Sequence, residues 1–451
     1  METPIYDFLM KYSKRSPLRA HMPGHKGVSP VSDLEKLYSL DITEISGADS
    51  LFEADGIIKK SEENASRLYN TVETVYSCGG STLCIQAMLH LMKQENRCVI
   101  AMRTVHRAFL NACILLGIEV IWIYPQEKNG ILSGSYSTAD FEKAVLELKG
   151  TPFCIYVTSP DYLGNMADIA ALAKLCHAYD SPLLVDNAHG AHLAFMQENI
   201  HPMALGADLC CDSAHKMLPC ITGCAYLHTS NDRYRGRLKG AMGMFGSTSP
   251  SYLMLMSLDL CNRFLAEKAA ANISMVCTMA DKMKKRLSYK GKYIFMGGKD
   301  PLHVVIDAAG MGADGRKIAN ELEKNGCFPE YAGRDAVVLL LSASERAEDI
   351  ERMERILQDC SVKANAQEAK KEPPSFPKPK SVMDMRSAAL GASEVISVNQ
   401  AEGRICAGVR VPCPPAVPIV ISGEMIDKSA AETLKYYGIE TIEVIKSLST
   451  T

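Results

Sequence analysis

The 451-residue chain has one tryptophan, no Cys-x-x-Cys pair, and no apolar run approaching the ~18 residues that span a bilayer. Its net charge of −3 removes any electrostatic case for nucleic acid or an anionic membrane as a partner. The first residues, Met1-Glu2-Thr3-Pro4-Ile5-Tyr6-Asp7, lack the basic and then apolar pattern of a secretory signal. The expected location is therefore the cytoplasm. Sixteen cysteines are present, but they are scattered and often sit inside apolar runs. Without paired spacing they read as reduced, mostly buried thiols. His21 and His25 lie on a loop with Pro23 and two glycines, where they have no fixed common face. No metal site is expected from them. A chain this long, 47% hydrophobic and 22% charged, should fold as two or three globular domains.

The most informative stretch runs from Asp208 to Gly223. Leu209–Cys211 reads as a short strand, and Pro219 and Gly223 argue against a long helix after it. Lys216, within Ser213-Ala214-His215-Lys216, then falls on a turn. A turn can aim a lysine inward, where desolvation makes its amine nucleophilic. Ser213 and His215 beside it suit an anion. The stretch alone admits two readings: a Schiff-base lysine next to a cofactor phosphate, or a surface lysine in a polar turn.

Asp186 closes another short apolar run, Leu183–Val185, bounded by Pro182. Parallel α/β sheets place their ligands at the carboxyl ends of strands. A carboxylate there can hold a proton on a pyridine nitrogen and keep the ring an electron sink. The alternative is an aspartate capping the next helix. Gly79-Gly80-Ser81-Thr82 opens an amphipathic helix (83–93) after a strand at 74–78. Glycines admit close backbone approach, hydroxyls donate, and the helix N-terminus adds N–H groups and positive potential. Ser and Thr are also ordinary N-caps.

Strands at 97–102, 119–124, 153–158 and 224–228 alternate with helices at 61–69, 141–148 and 169–179. This order predicts an α/β protein with a mostly parallel sheet flanked by helices. A helix covers 4–15, and long helical patterning covers 253–286. Domain boundaries are expected at 1–290 for the N-terminal segment and large domain, and 291–363 for a small α/β domain. The small domain should hold strands at 293–296, 303–307 and 336–342 and helices at 316–325 and 348–360. The prolines of 373–379 mark 364–380 as a linker, and 381–451 forms a C-terminal α+β domain.

Taken together, several motifs resemble the Orn/Lys/Arg decarboxylases in their short form. They are His21-Met22-Pro23-Gly24-His25-Lys26-Gly27, Asp41-Ile42-Thr43-Glu44, Gly80-Ser81-Thr82 and His106. The series continues through Asp186-Asn187-Ala188-His189-Gly190-Ala191-His192, Ser213–Lys216, Thr248-Ser249-Pro250-Ser251-Tyr252 and Ala401-Glu402-Gly403-Arg404-Ile405. The resemblance spans nearly the whole chain in order. It implies the aminotransferase-like fold type I and pyridoxal 5'-phosphate as cofactor. It also implies decarboxylation of arginine, lysine or ornithine to an amine that feeds polyamine synthesis, by a homodimer or higher homo-oligomer.

By that resemblance Lys216, His106 and Asp186 are catalytic. Lys216 carries the cofactor, Asp186 pairs with the ring nitrogen, and His106 stacks on the ring. Ala188 packs against the ring and His189 lies near its phenolic oxygen. Gly80, Ser81, Thr82, Ser213 and His215 hold the phosphate, and Thr248 and Ser249 reach a neighbouring subunit's phosphate. Glu330 and Glu424 are candidates for the substrate's distal cation. The chain departs from the family pattern at Gly79, where asparagine is usual, and at Asp161 and Leu163 beside Tyr162. It departs again at Cys413, which replaces a tyrosine. An aminotransferase or another pyridoxal-phosphate lyase on the same fold is the enzymatic rival. A silent homologue acting as a regulatory subunit is the other rival.

Overall fold

The computed structural model describes residues 1–15, 17–28, 33–126, 131–361, 373–408 and 416–446. Residues 364–372 of the expected linker, and Val411–Pro415 with Cys413, lie outside the described residues. In chain order the large-domain strands are β1 (Glu73–Ser77), β2 (Cys98–Met102), β3 (Val120–Ile123), β4 (Phe153–Thr158), β5 (Leu183–Asp186), β6 (Leu209–Asp212) and β7 (Ala225–Thr229). Then come β8 (His303–Asp307), β9 (Tyr331–Ala332), β10 (Ala336–Leu340), β11 (Ser393–Ser397), β12 (Cys406–Gly408) and β13 (Thr441–Ile445).

The chain divides into two units. The first comprises Met1–Leu91, Ile169–Ser274 and Ser342–Ser344. Here β5 and β6 run parallel, with Leu184 opposite Leu209 and Asp186 opposite Cys211. Every residue of both strands is buried. That accounts for sequences that are apolar throughout until the terminal aspartate. β7 runs antiparallel to β6, and β1 antiparallel to β7. The mostly parallel expectation therefore stops at β6. The connection from Asp212 to Ala225 carries only one helical turn, Ala214–Met217, and the chain returns antiparallel. The amphipathic N-terminal helix, Pro4–Lys14, buries Ile5 and Leu9. Its first amides, Ile5 and Tyr6 N–H, donate to Asp259 Oδ2 at 3.0 Å, an anion at a helix N-terminus.

The second unit comprises Met92–Asp168, Met275–Leu341 and Glu345–Thr451. β2 lies between β3 and β4, all parallel. β8, β10 and β9 form an antiparallel sheet, as do β11, β13 and β12. The strand expected at 293–296 reduces to one isolated bridge, Phe295 to Ile306. Gly297-Gly298 follows at once and offers no side chains to pack a longer pairing. The long helical pattern at 253–286 appears as Tyr252–Phe264, a π-type turn at Leu265–Ala269, and Ala270–Tyr289.

Arg103, just past β2, anchors the second unit. It is fully buried. Nη1 donates to Pro418 O at 2.9 Å, and Nη2 to Ile419 O at 3.3 Å and Glu424 Oε2 at 3.1 Å. The guanidinium lies 5.4 Å from the Trp122 ring and 5.2 Å from the Phe376 ring. A cation taken out of water needs this density of acceptors and ring faces. Burial pushes the Glu424 carboxyl up, and Arg103 only partly offsets it. Replacing Arg103 with Met strands that carboxylate. Arg103→Met is expected to lower stability by about 3–5 kcal/mol. Urea unfolding followed at the single tryptophan, Trp122, measures this beside the ring that Arg103 covers. The double variant Arg103→Met/Glu424→Gln should lose clearly less than the two single losses added together, and strict additivity would refute the coupling.

Candidate active site

In the first unit, β6 ends at Asp212 and Ser213 precedes a single helical turn, Ala214–Met217. Lys216 therefore sits on one turn of helix rather than on an irregular turn. Leu218 is extended, as the residue before a proline prefers, and the helix stops there. Lys216 Nζ lies 2.9 Å from His189 Nε2. An ammonium can only donate, so the proton of a neutral His189 is on Nδ1. Asp186, at the end of β5, is 2% exposed and its Oδ1 accepts the Ala188 N–H at 3.2 Å. The parallel β5–β6 register thus brings a buried carboxylate and an amine to neighbouring strand ends.

The Gly80–Gln94 helix starts in the same unit. Gly80 has φ +67°, a left-handed conformation that glycine adopts at no steric cost. Its N–H donates to Gly223 O at 2.9 Å, while Ser77 Oγ donates to Gly80 O at 2.9 Å. The strand-to-helix turn is therefore fixed by its own bonds, and the first-turn amides of Ser81 and Thr82 remain for an anion. Ser213 Oγ donates to Ser81 Oγ at 2.9 Å, which joins the two hydroxyl-bearing turns. His215 Nδ1 lies 3.0 Å from Cys224 O. That bond needs a proton on Nδ1, so Nε2 can donate to an anion only when the ring is charged. Lys216, Asp186, His189, Gly80, Ser81, Thr82, Ser213 and His215 all belong to this unit.

His106 belongs to the second unit. It caps the Arg107–Leu116 helix, and its Nδ1 accepts the Ala108 N–H at 3.1 Å. Also in that unit, Tyr162 Oη donates to Glu330 Oε1 at 2.8 Å. Glu424, the other sequence candidate for a distal cation, already has internal partners: Arg103 and the Ile421 N–H, at 2.9 Å from Oε2. A buried carboxylate so engaged helps to hold this unit together. Asp161, a departure from the family pattern, accepts the N–H groups of Leu163 and Asn165 at 2.9 Å. It staples its own turn.

A cluster around Asp212 was invisible in the sequence. Its Oδ2 lies 3.0 Å from His201 Nε2 and 3.2 Å from His228 Nε2, and Asn187 Nδ2 donates to Oδ1 at 2.7 Å. These residues are far apart in the chain and follow no spacing rule. Only the run Cys-Cys-Asp, ending a buried strand in a charge, hinted at it.

Family models described as Orn/Lys/Arg decarboxylase, major domain, and Orn/Lys/Arg decarboxylase, C-terminal domain, match residues 3–304 and 365–445. The chain is 28% identical over 447 residues to an arginine decarboxylase of Bacillus subtilis, covering 94% of this chain and 91% of that protein. Among solved structures it is similar to lysine decarboxylase A from Pseudomonas aeruginosa, with TM-score 0.82 and 17% identity over 98% of this chain and 80% of that one. Oryza sativa TDC with PLP is similar at TM-score 0.56 and 14% identity, over 69% of this chain and 74% of that one. The fold is the aminotransferase-like fold type I that the motifs implied. Among the described residues, no helix is long and apolar enough to cross a membrane.

Three thiols sit close to these strand ends. Burial first, and the Asp186 and Asp212 charges next, push Cys210 and Cys211 well above the usual thiol range. Burial dominates at Cys84 too and pushes it up to about 12. Since the thiolate is the reacting form, iodoacetamide at mildly alkaline pH should leave all three unmodified in the folded protein. Peptide mapping before and after denaturation checks this. Labelling of Cys84 without unfolding would contradict it.

Proposed function

Because this chain belongs to the Orn/Lys/Arg decarboxylase family, it is an amino-acid decarboxylase dependent on pyridoxal phosphate, and we propose that its substrate is arginine, lysine or ornithine and that its amine product feeds polyamine synthesis. The observation that carries this reading is Lys216 Nζ, 2.9 Å from a buried imidazole at the end of β6, with buried Asp186 ending the adjacent strand. The donor set fits the cofactor: an amine, a carboxylate for a ring nitrogen, and hydroxyls and helix amides for a phosphate. When bound, pyridoxal phosphate supplies the electron sink for the pair released as the bond from Cα to the carboxylate breaks.

Lys216 is the covalent anchor. Asp186 holds the proton on the pyridine nitrogen, a charge-assisted bond favoured by its burial. His189, bonded to Lys216 Nζ, relays protons at that amine. Ser81 and Thr82 donate to the phosphate, Ser213 orients the Ser81 hydroxyl for it, and the amides of the Gly80–Gln94 helix stand behind them. His215 joins them as an imidazolium. The family resemblance carries His106 into the reading as the residue that stacks on the ring. It likewise makes Glu330, oriented by Tyr162, the carboxylate for the substrate's distal cation. The working form is a cytoplasmic homodimer or larger homo-oligomer.

Release of CO2 from arginine, lysine and ornithine by protein supplied with pyridoxal phosphate tests the reading. One of the three should react, and Lys216→Ala should lower its rate at least about 10²-fold. No release from any of them by cofactor-loaded protein would overturn the substrate class.

A further inference from the structure

Asp212 is a buried carboxylate that meets two imidazoles and, among the described residues, no lysine or arginine at hydrogen-bonding distance. Its side chain is wholly inaccessible. Four groups face it: Asn187 Nδ2, His201 Nε2, His228 Nε2 and Cys210 Sγ, the last at 3.7 Å from Oδ1. The protons on the imidazoles follow from their far nitrogens. His201 Nδ1 accepts the Met203 backbone N–H at 3.3 Å. His201 therefore carries no proton there, and the proton that faces Asp212 is on Nε2. His228 Nδ1 faces the Thr74 hydroxyl at 2.8 Å, which can donate to it. Its Nε2 faces the carboxylate and must carry hydrogen. Burial keeps His228 on the low side of the usual histidine range, with Asp212 only partly opposing it.

The same atoms have the types that ligate a metal: His201, Cys210 and Asp212 come together here. The proton count argues otherwise. A metal on His201 Nε2 would displace the proton that the Met203 contact forces onto that nitrogen. The hydrogen bonds account for the whole arrangement without one.

The position of Asp212 gives the cluster its meaning. Asp212 ends β6 and adjoins Ser213, which bonds Ser81 and precedes Lys216 by one turn. Through Asn187 it grips the residue that follows Asp186 on β5. Asn187 N–H also donates to Cys211 O at 3.0 Å, which continues the strand pairing one step past β5. Asn187 Oδ1 is buried with no partner among the described residues. The amide is therefore held from one side only, by Asp212.

We propose that Asp212 is a positioning residue. It clamps the ends of β5 and β6 together through Asn187, and so sets where Asp186 and Lys216 stand relative to each other. This rests on the reading that those two residues hold pyridoxal phosphate.

The test uses the holoenzyme. Asp212→Asn keeps the size but sets an amide against four donors. Asn187→Ser leaves Asp212 in place and removes only the clamp. Both variants should move the pH midpoint of the bound cofactor's visible absorbance by about one unit. Both should lower kcat about tenfold or more while changing KM less than about threefold. Wild-type titration and kcat in Asn187→Ser would overturn the proposal, even if Asp212→Asn fails to fold. A second measurement needs no cofactor. Nitrogen-15 imidazole spectra should show His201 and His228 both protonated at Nε2, the nitrogen that faces Asp212. His201→Gln and His228→Gln assign the signals. A ring without a proton on Nε2 would overturn the arrangement around Asp212. If wild-type protein shows no cofactor absorbance while the imidazole spectra are as expected, the functional reading fails and the buried arrangement does not.

Discussion

The chemistry of the first unit depends on the parallel pairing of β5 with β6. That register sets Asp186 opposite Cys211. It thereby fixes which residues emerge together at the carboxyl ends, where a parallel sheet leaves room for a ligand. A slip of one residue would turn every side chain to the opposite face. The register is held by full burial on both sides and then locked beyond the last ladder pair by Asn187 and Asp212. The helical turn bearing Lys216 needs no stability of its own, because it hangs from a strand end that is already fixed.

The two units bury charge in opposite ways. In the second, Arg103 meets a carboxylate, two carbonyls and two aromatic faces, so a cation is matched by an anion and polarisable surface. In the first, Asp212 is an anion met by an amide, a thiol and two imidazoles. Burial would raise its pKa, yet the two imidazoles more than offset that and hold it well below the usual carboxylate range. Coulombic attraction to the two imidazoles comes first, and their hydrogen bonds to the charged form add to it. The first device ties Arg103 to the 418–424 segment of its own unit. The second ties two neighbouring loops.

Much of this was legible in the chain. Leu183–Asp186 and Leu209–Asp212 announce themselves as buried strands, because parallel strands covered on both faces are apolar throughout. Lys216, Asp186 and the Gly80-Ser81-Thr82 turn could be named from local chemistry and motif order. The direction of β7 was not legible, since a short buried apolar strand reads the same whichever way it runs. Nor was the engagement of Glu424, whose partner lies 321 positions away. The Asp212 cluster was hidden for the same reason. Thr74, Asn187, His201 and His228 are each unremarkable in their own windows, and only the folded register makes them one network.

Burial also leaves the first unit with opposed pH dependences. Glu62 is raised from 4.5 to about 7, by burial first, with Lys239 at 2.7 Å only partly countering it. Asp259 is raised from 3.8 to about 6, again chiefly by burial. The native state therefore binds more protons than the unfolded chain through these windows, and the contribution of both groups falls as pH rises toward neutrality. Asp212 works the other way. Its folded pKa lies below the unfolded value, so its contribution is full above about pH 4 and lost as pH falls further. Together these three groups favour a mildly acidic optimum for this unit.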